Sequence, residues 1–397
     1  MSQVEKKYLS KMKDFGEVLN RQHSFYGSDF IKKMIEDGGE FLSEKTKVKY
    51  SIPTHFGFCY GVEKSIDMAF ETVNRFPDRN IYLTHDVIHN PKVNQDLKNR
   101  SVTVLDRDAN NQLILDPISS EDIVVISAFG SKTKDVAALR EKGCVVVDTT
   151  CGAIVLVWKR VEKYAKAGAT SVIHGIWNHE ETQATASQAT NQGGHYLIIR
   201  NMGDAEVIEK YLSGEVSDAK FMERFSEKTS EGFKPSEHLN RIGLASQTTM
   251  FKSETLEIQQ YLTKVYEKKF GNNPEQGGFE KYDTICSATQ ERQDAIYNLL
   301  QKPIDMMVII GGFNSSNTTH LSEIASLKYP TFHIQGPEDI FSKDMIRHLD
   351  PAKLKVTETH NWMPENIREI GISTGASTPD ISIEQVIETL EKLLVKV

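Results

Sequence analysis

Three segments of the chain share one alternation of hydrophobic and polar positions. Each begins with a short β-type run that ends in a cysteine, and a segment with helical periodicity follows. The three runs are YSIPTHFGFC, CVVVDTTC and EKYDTIC, which end at Cys59, Cys151 and Cys286. The pattern predicts a strand, a cysteine and a helix at three places along the chain.

The apolar residues after each cysteine fall on one helical face. They are Val62, Ile66, Ala69, Phe70 and Val73 after Cys59, and Ile154, Val157, Trp158, Val161, Tyr164 and Ala165 after Cys151. The segment SATQERQDAIYNLLQKP after Cys286 has the same character and stops at Pro303. Three amphipathic helices are therefore predicted.

A further strand and a polar loop follow each predicted helix. The strands NIYLTH, TSVIHG and MMVIIGG lead into the loops HDVIHN, GIWNHEE and GGFNSSN, and the strands DIVVISAFG, HYLIIRN and PTFHIQG come next. His89 lies 30 residues after Cys59, His179 lies 28 after Cys151, and Asn317 lies 31 after Cys286. Strands and helices that alternate at this interval predict α/β units with mainly parallel sheets, three times over.

Loops at the carboxyl ends of parallel strands line the ligand crevice of such sheets. Three related α/β domains would therefore bring three cysteines and three polar loops to one centre, although three unrelated domains with incidental cysteines stay an alternative. We expect a mostly helical N-terminal extension over 1–50 and α/β domains over 51–150, 151–285 and 286–374. Residues 375–397 are expected to return to the first of these domains.

Composition and charge limit the classes of function. The 397 residues are 39% hydrophobic and 26% charged, which is typical of a globular chain with two or three domains. The net charge of −8 argues against a general nucleic-acid binder but permits local anion sites. The N-terminus has no apolar core and no apolar run approaches the roughly 20 residues that span a bilayer. We expect a cytoplasmic protein without a membrane or nucleic-acid partner.

The cysteines favour a metal centre over a disulfide scaffold. Four cysteines without a CxxC pair disfavour a zinc ribbon or a thioredoxin-type site, while a position just before a helix favours the thiolate that metals require. Structural zinc would need a fourth protein ligand, whereas an iron–sulfur cube with three cysteines leaves one iron open to a substrate oxygen. The chemistry favours the cluster and leaves zinc open. Cys144, at the start of GCVVVD, is interpreted as a structural thiol.

The polar loops predict a phosphate site. HDVIHN, NHEETQATAS, ASQTTM, GGFNSSNTT and STGASTPD are rich in imidazole, hydroxyl and amide donors and almost free of Lys and Arg. Such donors at helix N-termini bind phosphate without a strong net charge. Taken singly, NSSN and SQTT are typical of turns and helix caps. His89 alone could be a loop histidine whose hydrogen bonds are satisfied within the protein, and Glu180 and Glu181 could be a solvated pair. Their recurrence favours a small phosphorylated substrate.

Seven stretches resemble one enzyme family: GFCYGVE, IHNPKVN, VDTTC, HEETQATAS, ICSATQERQDAIY, GGFNSSNT and GASTPD. In this order, from about Asn20 nearly to the end, the chain is similar to the 4-hydroxy-3-methylbut-2-enyl diphosphate reductases, above all their plant and cyanobacterial branch. The resemblance implies three pseudo-symmetric α/β domains in a trefoil around a central cluster. It also implies reductive dehydroxylation of (E)-4-hydroxy-3-methylbut-2-enyl diphosphate to isopentenyl and dimethylallyl diphosphates, the last step of the methylerythritol phosphate route to isoprenoids.

The resemblance also implies roles for particular residues. Cys59, Cys151 and Cys286 match the ligands of a [4Fe-4S] cluster with one open iron. Residues that match the diphosphate site are His89, His179, Ser315, Ser316, Asn317 and Ser377. Glu181 and Thr248 match the pair that organises the substrate hydroxyl and its protonation, and ferredoxin or flavodoxin is the implied electron donor.

Two positions depart from the family pattern. Phe129 stands in SAFG, where many bacterial members have a histidine, and Gly152 stands where the family usually has proline. Neither departure removes a predicted cluster ligand. The main alternative function is a non-enzymatic iron–sulfur electron carrier or redox sensor, but a carrier normally closes all four iron sites and needs no donor-lined anion pocket. A zinc-bound interaction module is the weaker alternative.

Overall fold

The structure is a computed structural model that describes residues 7–15, 25–271, 277–281 and 284–395. Its α-helices are α1 (Asp29–Glu36), α2 (Tyr60–Arg75), α3 (Pro91–Lys98), α4 (Thr133–Lys142), α5 (Gly152–Lys166), α6 (Glu180–Asn191), α7 (Met202–Leu212), α8 (Asp218–Phe225), α9 (Pro235–His238), α10 (Lys252–Phe270), α11 (Ser287–Leu299), α12 (Ser316–Ser326) and α13 (Asp380–Leu394). Its β-strands are β1 (Tyr8–Leu9), β2 (Glu40–Leu42), β3 (Lys49–Ser51), β4 (Ile81–Leu83), β5 (Val102–Val104), β6 (Ile123–Ile126), β7 (Val145–Asp148), β8 (Thr170–His174), β9 (Tyr196–Ile199), β10 (Arg241–Ser246), β11 (Gly278–Lys281), β12 (Met306–Ile310), β13 (Thr331–Ile334), β14 (Met345–Asp350), β15 (Lys355–His360) and β16 (Glu369–Thr374).

The chain divides into two compact units. The first consists of Met1–Asp14, Phe76–His85 and Thr103–Cys286, and the second consists of Phe15–Arg75, Asp86–Val102 and Ser287–Val397. These units cut the chain at points other than the three-domain boundaries expected from the sequence, which stay a prediction. The expected arrangement around one centre stays a prediction as well.

The first unit contains two sheets of mainly parallel strands. One has the order β1-β7-β6-β4-β5 and the other the order β11-β10-β8-β9. The pairs β4/β6, β6/β7 and β8/β10 are parallel, with Val124 opposite Val146 and Leu244 opposite Val172. Because β4, β6 and β7 run in the same direction, the residues that follow them lie at one sheet edge. The segments at this edge carry His85, Phe129 and Cys151.

The second unit contains one sheet with the order β15-β14-β13-β12-β16-β3-β2. Its central strands β13, β12, β16 and β3 are parallel, whereas β14, β15 and β2 extend it as antiparallel edges. Ile310 pairs with Thr374, so β12 and β16 end side by side. The loops GGFNSSN and GASTPD therefore leave the sheet at the same edge.

The repeated pattern of the sequence is confirmed. The helices α2, α5 and α11 begin one residue after Cys59, Cys151 and Cys286. The strands β4, β8 and β12 follow those helices, and β6, β9 and β13 come after the polar loops, as the spacing predicts. The α/β fold class with mainly parallel sheets follows from this alternation.

The N-terminal segment differs from the mostly helical extension that the sequence suggested. Its described part contains α1 and a short 3₁₀ turn at Met12–Phe15, but β1 pairs with β7, and β2 with β3 forms an antiparallel edge. Gly38 and Gly39 have φ values of 85° and 79°, which end α1 and redirect the chain into this hairpin. Residues 1–6 and 16–24 of the predicted extension lie outside the described part.

Cys144 has the structural role that the sequence suggests. Its side chain is buried in the apolar cluster of the five-stranded sheet, among Val124, Leu139 and Val146, and burial raises the pKa of the thiol. The Sγ atom donates to the Leu139 carbonyl oxygen at 3.3 Å. None of the helices in the described residues is long and apolar enough to cross a membrane.

Candidate active site

Glu181 is a buried acidic residue of the candidate site in the first unit. It lies in the first turn of α6 and its side chain is fully buried. The backbone N–H of Thr248 donates to Oε1 at 2.6 Å and the Thr248 hydroxyl donates to Oε2 at 3.0 Å. The loops after β8 and β10 supply the two residues, because these neighbouring parallel strands end at the same edge.

Burial gives this carboxyl group an unusual proton affinity. Loss of solvent raises the pKa of Glu181 to about 7, although the two bonds from Thr248 lower it. A carboxylic acid with a pKa near neutrality can hold a proton and release it within a reaction, which is the requirement for a general acid. The same Thr248 accepts the N–H of Cys286 on its carbonyl oxygen at 3.3 Å. Thr248 therefore links the buried acid to the backbone of a predicted cluster ligand.

His179 is held as a neutral hydrogen-bond donor. It is the N-cap residue of α6, where its Nδ1 accepts the backbone N–H of Glu181 at 3.1 Å. Burial lowers the pKa of His179 to about 4, so the ring is neutral at pH 7 and its proton resides on Nε2. The ring of Phe129 contacts the imidazole edge-on, with centroids 5.8 Å apart. Phe129 thus fixes the orientation of His179 while donating no hydrogen bond of its own.

Gln247 is a site residue that sequence reasoning missed. Its Oε1 accepts the N–H of Ile176 at 3.0 Å and the hydroxyl of Thr182 at 3.1 Å, and its Nε2 donates to the Thr249 hydroxyl at 2.9 Å. It therefore fastens the loop before α6 to the loop that carries Thr248. The only sequence signal was its place in the polar run ASQTTM directly after a buried strand.

The two cysteines of the first unit are half-buried at helix starts. Cys151 is the N-cap residue of α5, and its N–H donates to the Ala128 carbonyl oxygen at 2.9 Å. Cys286 directly precedes α11 and is also half-buried. At such positions the N-terminus of the adjacent helix stabilises a thiolate.

Gly152 begins α5 in an ordinary backbone conformation. A Cβ atom built on it meets no atom of the described residues within 4 Å, and its φ lies outside the left-handed region. We expect Gly152→Ala to raise the free energy of unfolding by about 0.5–1 kcal/mol, because the unfolded chain loses conformational freedom. Urea unfolding followed by circular dichroism measures the change.

Gly243→Ala is the matched control for Gly152→Ala. A Cβ atom at Gly243 would lie 2.5 Å from the ring of the buried Tyr164, so this variant is expected to lose about 1–3 kcal/mol. A loss of stability in Gly152→Ala would contradict the open environment at the start of α5.

Cys59 begins the corresponding helix of the second unit. It is half-buried, and its N–H donates to the Ala376 carbonyl oxygen at 3.1 Å. Gly57 precedes it with a φ of 71°, and a Cβ there would lie 2.2 Å from Oδ1 of Asp380. The guanidinium group of Arg292 donates to the Gly57 carbonyl oxygen at 2.8 Å. The turn before Cys59 therefore requires glycine and is held at both ends by buried polar contacts.

His89 repeats the hydrogen-bond arrangement of His179. The side-chain amide of Asn314 donates to His89 Nδ1 at 3.0 Å, so Nε2 is the ring nitrogen that carries a proton. The His89 carbonyl oxygen accepts the hydroxyl of Ser377 at 3.3 Å. Asn314 is a second residue that sequence reasoning missed, although it lies within the quoted loop GGFNSSN.

The start of α12 presents buried polar atoms that lack protein partners. Ser315 is the N-cap residue and its Oγ accepts the N–H of Thr318 at 3.3 Å, so its hydroxyl has a structural role. Asn317 accepts the N–H of Ala376 on Oδ1 at 3.0 Å. Its Nδ2 and the Oγ of Ser316 are buried without a hydrogen-bond partner among the described residues. Two buried donors at a helix N-terminus form an environment suited to an anion.

The structure thus groups the predicted residues within each unit. The first unit brings together His179, Glu181 and Thr248, with the backbone of Cys286 attached to Thr248. The second unit brings together the set Cys59, His89, Ser316, Asn317 and Ser377 around the loops after β12 and β16. Ser315 lies with this second group but caps α12. The functional roles of all these residues stay predictions.

The sequence matches one protein family and is similar to enzymes of known name. The model of the LytB protein family matches residues 51–391. The 4-hydroxy-3-methylbut-2-enyl diphosphate reductase of Microcystis aeruginosa (strain NIES-843 / IAM M-2473) is 41% identical over 382 residues, which cover 95% of this chain and 93% of the relative. The reductase of the same name from Synechococcus sp. (strain ATCC 27144 / PCC 6301 / SAUG 1402/1) is 41% identical over 384 residues, with coverages of 95% and 94%.

Solved structures also resemble the chain. A structure of (E)-4-hydroxy-3-methyl-but-2-enyl diphosphate reductase, the terminal enzyme of the non-mevalonate pathway, has a TM-score of 0.52 and 27% identity, and covers 86% of this chain and 98% of its own. The E-1-hydroxy-2-methyl-but-2-enyl-4-diphosphate reductase from Plasmodium falciparum has a TM-score of 0.62 at 21% identity, with coverages of 86% and 87%. The second similarity supports the fold alone.

Proposed function

The chain belongs to the LytB protein family, and on that premise we propose how its residues perform the reaction for which its relatives are named. The chain is an enzyme that reduces (E)-4-hydroxy-3-methylbut-2-enyl diphosphate to isopentenyl and dimethylallyl diphosphates, the terminal step of the non-mevalonate pathway. The single observation that carries the mechanism is the buried Glu181, bonded twice by Thr248 and with its pKa raised to about 7.

We infer that Cys59, Cys151 and Cys286 hold a [4Fe-4S] cluster. All three are half-buried at the starts of α2, α5 and α11, whereas the fourth cysteine, Cys144, is buried in apolar surroundings. Three thiolates without a fourth fit a cluster that keeps one iron free of protein ligands. When bound, such a cluster supplies single electrons and a Lewis-acidic iron for the allylic oxygen.

The substrate diphosphate is held by neutral donors in this proposal. His89 and His179 each offer an Nε2–H, because Asn314 and the backbone of Glu181 donate to their Nδ1 atoms. Ser316 Oγ and Asn317 Nδ2 supply further donors at the N-terminus of α12, and Ser377 lies beside His89. The donors are fixed before substrate arrives, so binding fixes the allyl group relative to the reacting centre at little entropic cost.

Glu181 is the proton donor in this proposal. The reaction adds two electrons and two protons to the substrate, breaks the allylic C–O bond and releases water. The protonated Glu181 passes a proton through the Thr248 hydroxyl, or through a diphosphate oxygen, to the departing hydroxyl group. Gln247 keeps the loop of Thr248 fastened to the loop before Glu181, so the short distances between the two residues persist.

The pH dependence follows from the raised pKa of Glu181. The carboxyl group carries its proton below a pH of about 7 and loses it above that value. Turnover is therefore expected to fall as pH rises through about 7, approaching tenfold per pH unit on the alkaline side. Rates measured at saturating substrate between pH 5.5 and 8.5 test this, and a flat profile would remove Glu181 as the acid.

A small one-electron carrier protein, ferredoxin or flavodoxin, is the proposed electron donor, because the reaction consumes two electrons that a cluster accepts one at a time. The proposal also includes the cytoplasmic location expected from the sequence. The alternative of an electron carrier or redox sensor leaves the buried donors of Ser316 and Asn317 without a ligand.

An anaerobic assay on cluster-reconstituted protein tests the function. Reduced methyl viologen serves as the electron source, and its oxidation is followed after addition of 4-hydroxy-3-methylbut-2-enyl diphosphate. Continuous oxidation that requires the substrate is expected. A single equivalent of oxidation that is independent of the substrate, from protein with an intact cluster, would favour the carrier or sensor.

A further inference from the structure

His333 is a buried histidine of the second unit whose ring bonds to the loop GGFNSSN. It lies in β13, opposite Ile309 of β12, and its side chain is fully buried. Its Nε2 lies 3.1 Å from the carbonyl oxygen of Gly311, the first residue after β12. Because a carbonyl oxygen only accepts hydrogen bonds, Nε2 carries a proton and donates it. His333 thus holds the start of the loop from within the sheet.

Burial keeps the His333 ring neutral. Loss of solvent lowers its pKa to about 4, although the carbonyl groups of Gly311 and Gly312 favour the charged form. The neutral ring has one N–H, on Nε2, and its Nδ1 is buried without a hydrogen-bond partner among the described residues. Its single donor is already bonded to a backbone oxygen, so His333 is suited to positioning the loop and not to binding a ligand.

The backbone of β13 and a ring contact hold the same loop. The N–H of Gly311 donates to the Ile334 carbonyl oxygen at 2.8 Å. The ring of Phe313 contacts the His333 imidazole edge-on, with centroids 5.5 Å apart. Two hydrogen bonds and one ring contact therefore fix the first three residues of the loop to β13.

The loop packs directly against His89. A Cβ atom at Gly312 would lie 2.6 Å from the His89 carbonyl oxygen and 2.8 Å from Oδ1 of Asn314. Asn314 donates to His89 Nδ1 at 3.0 Å, and Ser377 donates to the His89 carbonyl oxygen at 3.3 Å. A shift of the loop at Gly311 or Gly312 would therefore change both the backbone contact and the side-chain bond that orient the His89 ring.

The loop also leads into the start of α12. The N–H of Ser315 donates to the Gly312 carbonyl oxygen at 2.9 Å, and Ser315 is the N-cap residue of the helix. Ser316 Oγ and Asn317 Nδ2, which follow it, are buried without a hydrogen-bond partner in the described part of the chain. The position of Gly312 thus affects the predicted donors of α12 as well as His89.

We propose that His333 is a positioning residue of the diphosphate site, because its bond to Gly311 fixes the loop that orients His89 and the donors at the start of α12. The inference rests on the proposed function, since it takes these donors to bind the substrate diphosphate. His333 acts through the loop and does not touch the substrate. Its effect is therefore that of one neutral hydrogen bond, about three- to tenfold in affinity.

His333→Phe in cluster-loaded protein tests this role. Phenylalanine keeps a buried ring beside Phe313 but has no N–H for Gly311. The KM for 4-hydroxy-3-methylbut-2-enyl diphosphate is expected to rise about three- to tenfold, while kcat changes less than about twofold. His333→Gln is expected to restore most of the affinity, because the glutamine amide offers an N–H donor at about the distance of Nε2.

His348→Phe is the matched control. It makes the same change at another buried histidine of the same sheet, whose Nε2 lies 2.8 Å from the Thr359 hydroxyl, and it leaves the bond between His333 and Gly311 in place. Its KM is expected to be unchanged. An equal rise of KM in His348→Phe, or an equal rise in His333→Gln, would show that a general change of the sheet alters the site, and would overturn the proposal.

Titration calorimetry of cluster-loaded protein with inorganic diphosphate gives a readout that needs no turnover. The Kd is expected to rise about three- to tenfold in His333→Phe and to stay unchanged in His348→Phe. If no variant turned over, the proposed function would fail, and this pattern of Kd values would still support the positioning of an anion site by His333. Unchanged KM and Kd in folded His333→Phe, or no binding of diphosphate by the unchanged protein, would overturn the proposal.

Discussion

Glu181→Gln is expected to lower turnover by about 10²- to 10⁴-fold while the iron and sulfide content of the protein stays unchanged. Glutamine keeps the size of the side chain, and its Oε1 can still accept the N–H of Thr248 that lies 2.6 Å from Glu181 Oε1. It cannot donate a carboxyl proton, and because the position is fully buried, water does not replace the lost group. The loss should therefore fall on kcat, with a smaller effect on KM.

The comparison for this variant is Glu206→Gln, the same isosteric change at an exposed position of α7. Its turnover is expected to equal that of the unchanged protein. Both variants are measured after reconstitution, with the visible absorbance of the cluster matched between samples. Full turnover in Glu181→Gln would show that this carboxyl group does not lie on the proton path. The two hydrogen bonds from Thr248 to Glu181 would then have no role in proton transfer.

Cys59→Ser is expected to lose or degrade the cluster itself. A serine oxygen is a harder ligand than a thiolate and is poorly matched to iron in a sulfide cluster. Iron and sulfide content should fall, the visible absorbance should weaken, and turnover should drop by at least about 100-fold, since the redox and Lewis-acid chemistry depends on the cluster. Cys151→Ser and Cys286→Ser are expected to behave in the same way.

Cys144→Ser is the matched control, because it removes a thiol that is not a predicted cluster ligand. Cys144 is buried in the core of the five-stranded sheet, so this variant is expected to lose some stability and to retain its iron. Iron content that falls in Cys144→Ser, or that is unchanged in Cys59→Ser, would contradict the assignment of the ligands.

The repeat of strand, cysteine and helix could be predicted because hydrophobic periodicity is a local property. The strands that end before Phe129 and Cys151 are nearly continuous runs of β-branched residues, and the helices after Cys59 and Cys151 keep one apolar face. The helix after Cys286 buries Thr289, Arg292 and Gln293 together with Ala295, Ile296 and Leu299, so its buried face is less apolar than the sequence pattern indicated. The hairpin of β2 and β3 was missed because its register depends on two left-handed glycines and on pairing with β16, a strand some 320 residues away.

The candidate residues could be proposed from the sequence, but their protonation states could not. The Nε2–H tautomers of His89 and His179 follow from donors supplied by Asn314 and by the start of α6, contacts that no spacing reveals.

Product stoichiometry tests the central claim most directly. Cluster-loaded protein is incubated anaerobically with reduced methyl viologen and 4-hydroxy-3-methylbut-2-enyl diphosphate, and the diphosphate products are identified and quantified by mass spectrometry. Isopentenyl and dimethylallyl diphosphates are expected, in a summed amount equal to half of the viologen oxidised, since each product requires two electrons. Unconsumed substrate in the presence of an intact, reducible cluster would contradict the account.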